Sequence, residues 1–301
     1  MRLLSNPVLA RELRGRIRGN RALIILVVYL TITAVVTLLV HAATANSFRG
    51  GISDPEAGRS IGKAIFLTVM TATLIQVCVI TPSLTAGAIS GEKERQTYDL
   101  LLTTLLSPLQ IALGKLAAAL AFAMLLIMAA LPLAGLSFLF GGVSGTELII
   151  GILGITVTAV CYATMSLFWS AVMRSTLAAT VIAQGTVVMI LLAIPFVFAI
   201  LSLLTDAFNG LNSAVYVYGM GLLLSLHPFI ALGLTAASLA QGENPFFFDV
   251  PSRAGDLLVP SPWLVYLVCS LLLTALFLFL TVRLLKPMQH DLPRRTRGKP
   301  R

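Results

Sequence analysis

Apolar residues fill long stretches of the chain, and the breaks between them are short and charged. Runs long enough to cross a hydrocarbon core of about 30 Å, which takes about 20 helical residues, lie at 22–43, 63–88, 112–140, 147–172, 177–203 and 262–283. They predict six membrane-spanning helices. A further apolar stretch, VYVYGMGLLLSLHPFIALGLTAASLA at 215–240, would make a seventh on hydropathy alone. Pro228 divides it, removing a backbone donor and disfavouring helix at His227. Each half has about 12 residues and covers about 18 Å, too short to cross. The pattern therefore predicts two short helices dipping from the outer face, a re-entrant hairpin broken at His227 and Pro228, with its irregular tip buried in protein.

Composition and charge agree. Of 301 residues, 57% are hydrophobic and 11% charged, against roughly a quarter charged in a soluble domain. The fold class is an all-α polytopic membrane protein. A net charge of +9 does not point to nucleic acid, because the basic residues cluster at the two ends. Arg2, Arg11, Arg14, Arg16, Arg18 and Arg21 precede the first run, and Arg283, Lys286, Arg294, Arg295, Arg297, Lys299 and Arg301 follow the last. The excess places both ends in the cytoplasm and demands an even number of crossings. One transmembrane domain covers 1–301: an amphipathic cytoplasmic segment at 1–21, a six-span bundle at 22–283 and a basic cytoplasmic tail at 284–301. The first apolar run lacks a small-residue cleavage site and reads as a retained anchor, so a multi-pass protein of the plasma or inner membrane is expected.

No Asp, Glu, Lys or Arg lies deep in a span. The polar exceptions include Gln76, Gln184 and the rim residue Glu147. Ion-coupled transporters keep ionisable groups at depth, so an energy source outside the spans is expected. For Gln76 and Gln184 an interhelical hydrogen bond is preferred over a place on a transport pathway. Pro82, Pro132 and Pro195 should bend their helices, with neighbouring elements satisfying the freed carbonyls. Cys78, Cys161 and Cys269 form no CxxC pair and read as small hydrophobes.

The run GEKERQTYDLLLTTLLSP, Gly91 to Pro108, is the exception to this plainness. Glu92, Arg95, Gln96, Asp99 and Thr103 recur on one helical face, and Tyr98, Leu101, Leu102 and Leu105 on the other. This predicts an amphipathic helix at 91–105 on the cytoplasmic surface, capped by Ser90, with Glu92 and Glu94 in its first turn and Pro108 ending it. A mixed-charge face suits a protein partner better than anionic lipid.

These residues resemble the cytoplasmic segment of ABC-2-type permeases, the membrane subunits of ATP-binding-cassette transporters, with its E-[KR]-E-[RK]-G-T-x-[ED]-L-L-L-x-T-P-[LI]-S pattern and following G-K. Matching positions are Glu92, Lys93, Glu94, Arg95, Thr97, Asp99, Leu100, Leu101, Leu102, Thr104, Ser107, Gly114 and Lys115. Gln96 stands where glycine is common and Leu105 where proline is. The N-terminal NPVLARELRGRIRGNRA is similar to the family's approach helix at Asn6, Pro7, Arg11 and Glu12. The resemblance implies that 91–105 is a coupling helix seated in an ATPase subunit, with Glu92, Lys93, Glu94, Arg95, Thr97 and Asp99 as coupling residues. It also implies two ATPase copies carrying the ATP and magnesium, a second permease subunit, identical or related, and export as the direction. The chain has no GxxxxGK[ST] loop and so no nucleotide cradle of that kind. Membrane lipid is the other expected partner.

Two alternatives compete with a permease. Gly142-Val143-Ser144-Gly145 matches the GxSG string of rhomboid intramembrane proteases, with His227 as the base. Short strings recur by chance, however, and a Gly-Ser turn between helices needs no catalyst to explain it. A non-transporting scaffold that anchors an ATPase would need the same coupling helix. Acidic or HExxH metal clusters are absent from the sequence.

Overall fold

The structure, a computed structural model, describes residues 20–47, 55–98, 107–207, 214–252 and 255–285. Its elements are helices α1 (Asn20–Ser47), α2 (Pro55–Glu94), α3 (Pro108–Leu139), α4 (Gly145–Val172) and α5 (Thr176–Ala207), then the short helices α6 (Ala214–Ser225) and α7 (Pro228–Ala240). Strands β1 (Phe247–Ser252) and β2 (Gly255–Pro260) and helix α8 (Pro262–Leu284) complete the order. Among the described residues six helices are long and apolar enough to cross a membrane, the number that the hydropathy pattern predicts.

Helix α2 is the hub. It packs against α1, α3, α4 and α5, and α8 closes the far side of α4. At 40 residues it is about 60 Å long, twice a hydrocarbon core, so its ends extend past the apolar run that nucleates it. Small residues let the backbones approach closely: Ala112, Ala163 and Ala171 surround Ala88 and Ile89, and Ala179 and Ala183 face Ala86. Helix α5 is the most exposed span, with 6% of its apolar window buried against 50% in α2 and α4.

The segment at 215–240 breaks where Pro228 requires. Helices α6 and α7 are bent by 115°, so the chain turns back on itself. His227 caps α7 through Nδ1, which accepts from the Ile230 N–H at 3.2 Å, and Pro228 occupies the first turn. The all-α expectation needs one amendment. Phe247 to Ser252 and Gly255 to Pro260 form an antiparallel ribbon, with Phe248 opposite Val259. Its strands are too short to leave a period-2 signal beside the apolar runs.

At Pro82 and Pro195 a neighbouring element meets the carbonyl that the proline leaves free. Pro82 cannot donate to the carbonyl of Cys78, and Gln184 Nε2 on α5 donates to that oxygen at 3.3 Å. The Pro82 carbonyl in turn accepts from Ser166 Oγ on α4 at 2.6 Å. Pro195 likewise frees the Leu191 carbonyl, and His227 Nε2 lies 3.2 Å from it. Since Nδ1 accepts the cap bond, Nε2 carries the proton and donates.

A double-mutant cycle tests this accounting. Gln184→Leu should lower stability by about 1 kcal/mol, and by close to nothing where Pro82→Ala has restored the helix donor. Thermal unfolding in detergent reads the coupling, and equal losses in both backgrounds would refute it.

Candidate functional site

Helix α2 overruns its apolar sequence and takes in the first charges of the loop. It ends in a Schellman turn: the Gln96 N–H donates to the Lys93 carbonyl at 3.1 Å, and the Thr97 N–H to the Glu92 carbonyl at 2.9 Å. Gln96 is left-handed, with φ of 58°, the backbone region that glycine enters without strain. The position at which this chain departs from the glycine of the pattern is the one whose backbone favours glycine.

This corrects the helix expected at 91–105. Gly91 to Glu94 belong to the last turn of α2, and a new helix can begin no earlier than Thr97. Ser90 is no cap, because its hydroxyl donates to the Ala86 carbonyl inside α2 at 2.7 Å. Glu92 and Glu94 lie at a helix C-terminus, where the dipole disfavours carboxylates. The wheel failed because a 3.6-residue period continues through a turn that only backbone geometry interrupts. Pro108 opens α3, behind a Ser107 and Gln110 capping box. Asp99, Thr103 and Leu105 lie outside the described residues, as do Asn6, Pro7, Arg11 and Glu12.

Three consecutive charges in that turn each hold a different helix. Glu92 Oε1 lies 3.4 Å from the Nζ of Lys115 on α3, a lysine 2% exposed. Its Oε2 accepts from the Thr97 hydroxyl. Lys93 Nζ donates to the carbonyls of Ala171 and Met173, the open C-terminus of α4, and sits 5.5 Å from the centre of the Tyr98 ring. Glu94 Oε2 accepts from Thr176 Oγ1 at 2.7 Å, at the N-terminus of α5. Lys93 and Glu94 each meet the helix end that their sign favours, the ammonium at carbonyls and the carboxylate at the first turn, while Glu92 is paired with an ammonium. The N-terminal half of the motif is a clamp joining α2 to α3, α4 and α5. Arg95 and Gln96 are exposed beside it.

Lys115 and Thr176 are the residues that sequence reasoning missed as members of this site. Lys115 had a signal, a lone charge in an apolar helix directly after Gly114. Thr176 had none. Gln184 sits on the Cys78 carbonyl, as a helix-to-helix contact requires. Gln76 is buried with its Oε1 unmatched, on the groove between α1 and α2. The structure does not bring Ser144 and His227 together in a dyad. Ser144 Oγ caps α4 by accepting from the Glu147 N–H at 3.2 Å and pairs with Thr146 at 2.9 Å, while both nitrogens of His227 are engaged as described. Gly142 is needed for packing, since a Cβ there would lie 2.1 Å from the Arg59 carbonyl. The GxSG string is thus a helix cap and a close backbone approach.

Six apolar helices and this clamp define a polytopic membrane protein whose loop motif is built into its bundle. Residues 6–289 match the sequence pattern of the ABC-2 family of transporter proteins, and the chain belongs to that family. It is a membrane component of an ABC transporter, a permease. None of the curated proteins matches it.

Two outcomes follow from the clamp. Gln96→Gly should raise stability by about 1 kcal/mol, because it removes a side chain from a left-handed position, whereas Gln96→Val should lower it. Lys115→Met should cost about 2 kcal/mol by taking the ammonium from Glu92, and Glu92→Leu added to it should recover most of the loss. Thermal melting of purified protein measures both. A Lys115→Met loss that Glu92→Leu deepens would show that the pair is not the relevant contact.

Proposed function

We propose that this permease is the membrane half of an ATP-driven exporter of the plasma or inner membrane, moved by a separate ATPase that docks at the 95–106 segment. A second permease subunit and two ATPase copies complete the assembly, and ATP and magnesium reside on the ATPase. Both chain ends and the clamp face the cytoplasm, and the α6–α7 hairpin re-enters from the opposite side.

The observation that supports this most is the clamp beneath an exposed turn. Glu92, Lys93 and Glu94 tie the α2 terminus to α3 and to the ends of α4 and α5, so force applied just beyond them reaches four helices together. Rigid elements that share one anchored end move as a body. Arg95, exposed and next to the clamp, is the charge placed to meet a partner. Glu92, Lys93 and Glu94 act in coupling by holding the helices, and Asp99 and Thr97 belong to the segment's own start.

Affinity purification of the tagged chain from its native membrane tests the reading. A phosphate-loop ATPase should copurify, and Arg95→Glu should weaken its retention at least tenfold while thermal stability stays within about 0.5 kcal/mol, as for a surface change. Absence of any ATPase under conditions that keep other complexes intact would overturn it. A copurified ATPase whose hydrolysis moves no cargo in reconstituted vesicles would leave an anchoring scaffold in place of an exporter.

A further inference from the structure

The turn between α4 and α5 lies beside the clamp and carries a charge that the clamp does not use. Arg174 falls between Met173, whose carbonyl accepts from Lys93, and Thr176, whose hydroxyl donates to Glu94. Its guanidinium is close enough to the Lys93 ammonium to act on it electrostatically, and like charges repel. Arg174 is exposed, and the ion pairs among the described residues, Lys63 with Glu147 and Lys115 with Glu92, leave it out. The helix ends give no local reason for a cation there. The first turn of α5 disfavours positive charge, and Lys93 already occupies the α4 carbonyls that would attract it.

Arg95 is its counterpart on α2. It follows Glu94 directly, so both guanidiniums spring from backbone next to the Glu94–Thr176 contact of 2.7 Å. Arg95 is likewise exposed and outside those ion pairs. The clamp and its turn thus set Lys93, Arg95, Arg174 and Lys115 against Glu92 and Glu94. The surplus is positive, and its exposed part is Arg95 and Arg174.

An acidic protein surface suits these charges better than anionic lipid. Arg95 lies seven residues past the apolar run that ends at 88, about 10 Å along the helix axis, whereas the headgroup layer is about 5–8 Å deep on each side. Glu94, exposed beside both arginines, would also repel a phosphate headgroup. A protein can place its carboxylates around that acid, and guanidinium–carboxylate pairs are directional and frequently bidentate.

We propose that Arg174 is a second docking point for the ATPase, and that an acidic patch on that subunit bridges Arg95 at the end of α2 and Arg174 at the start of α5. The proposal rests on the permease reading and adds to it a second point of attachment. An ATPase held at both arginines moves α2 and α5 together, where a single loop contact would pull on α2 alone.

The test places the photocrosslinker benzoylphenylalanine at position 174 of the full chain, and at position 177 in a control, in native membranes. Adducts are identified by mass spectrometry. Position 174 should join the same phosphate-loop ATPase that copurifies with the chain. Leu177, 75% exposed in the first turn of α5, should give at least tenfold less of that adduct. Arg174→Glu should lower ATPase retention at least tenfold without lowering the melting temperature, since the reversal removes a repulsion from Lys93. Adducts with lipid alone at position 174, or unchanged retention in Arg174→Glu, overturn the proposal and leave the permease reading standing. Recovery of no ATPase with the wild-type chain overturns both.

Discussion

Everything in this bundle depends on one constraint: a backbone polar group in hydrocarbon has no water to turn to. A proline inside a span breaks that rule locally, and at Pro82 and Pro195 the chain answers from a different element. Gln184 reaches from α5 to the carbonyl that Pro82 frees in α2, and His227 reaches from the hairpin to the one that Pro195 frees in α5. These contacts fix more than hydrogen-bond counts. The first sets α5 against α2 at a definite height and rotation, although α5 has little buried apolar surface to do so by packing. The second fastens the break of a turned-back segment to a neighbouring span, which allows two half-length helices to exist there at all.

The same constraint explains the charged turn. Helices that end near the membrane surface leave several carbonyls or N–H groups open. Here α4 ends and α5 begins within a few residues of each other, and one turn of α2 supplies Lys93 to the first and Glu94 to the second. Glu92, Lys93 and Glu94 are thus satisfied inside the chain before any partner arrives. These three charges do not need to be surrendered for docking, so a docked subunit would push on a pre-formed joint. That favours transmission with little internal slack, because a joint remade at every cycle would pass its own disorder to the spans.

Much of the fold was legible from the sequence because bilayer thickness converts hydropathy directly into element length. The six spans and the break at Pro228 follow from counting. What was not legible turns on backbone conformation. The helical period carries Gly91 to Glu94 into either the last turn of one helix or the first turn of the next, and their carboxylates favour the first turn. Only the left-handed φ of Gln96 shows which applies, and a glycine there would have announced it. The partners of the clamp were hidden for another reason. Lys115 and Thr176 lie 23 and 82 residues from the acids they meet, and one sequence carries no sign of such pairings. The β1–β2 ribbon was missed because two six-residue strands are below what periodicity resolves beside 30-residue apolar runs.

The two ends of α2 share a design that the sequence never hinted at. Near residue 93 and near residue 63 a lysine of α2 donates to carbonyls of another helix, Ala171 and Met173 at one end and Ala236 at the other. An ion pair accompanies each, Glu92 with Lys115 and Lys63 with Glu147. Between them runs a single helix about 60 Å long, interrupted only by Pro82, whose freed carbonyl is retied to α5. A rod held at both ends and braced at its one weak point can rotate or tilt as a unit, and it cannot easily absorb a displacement by bending in the middle. Any movement imposed at the clamp therefore arrives at the Lys63–Glu147 pair, which is also the fastening of the hairpin.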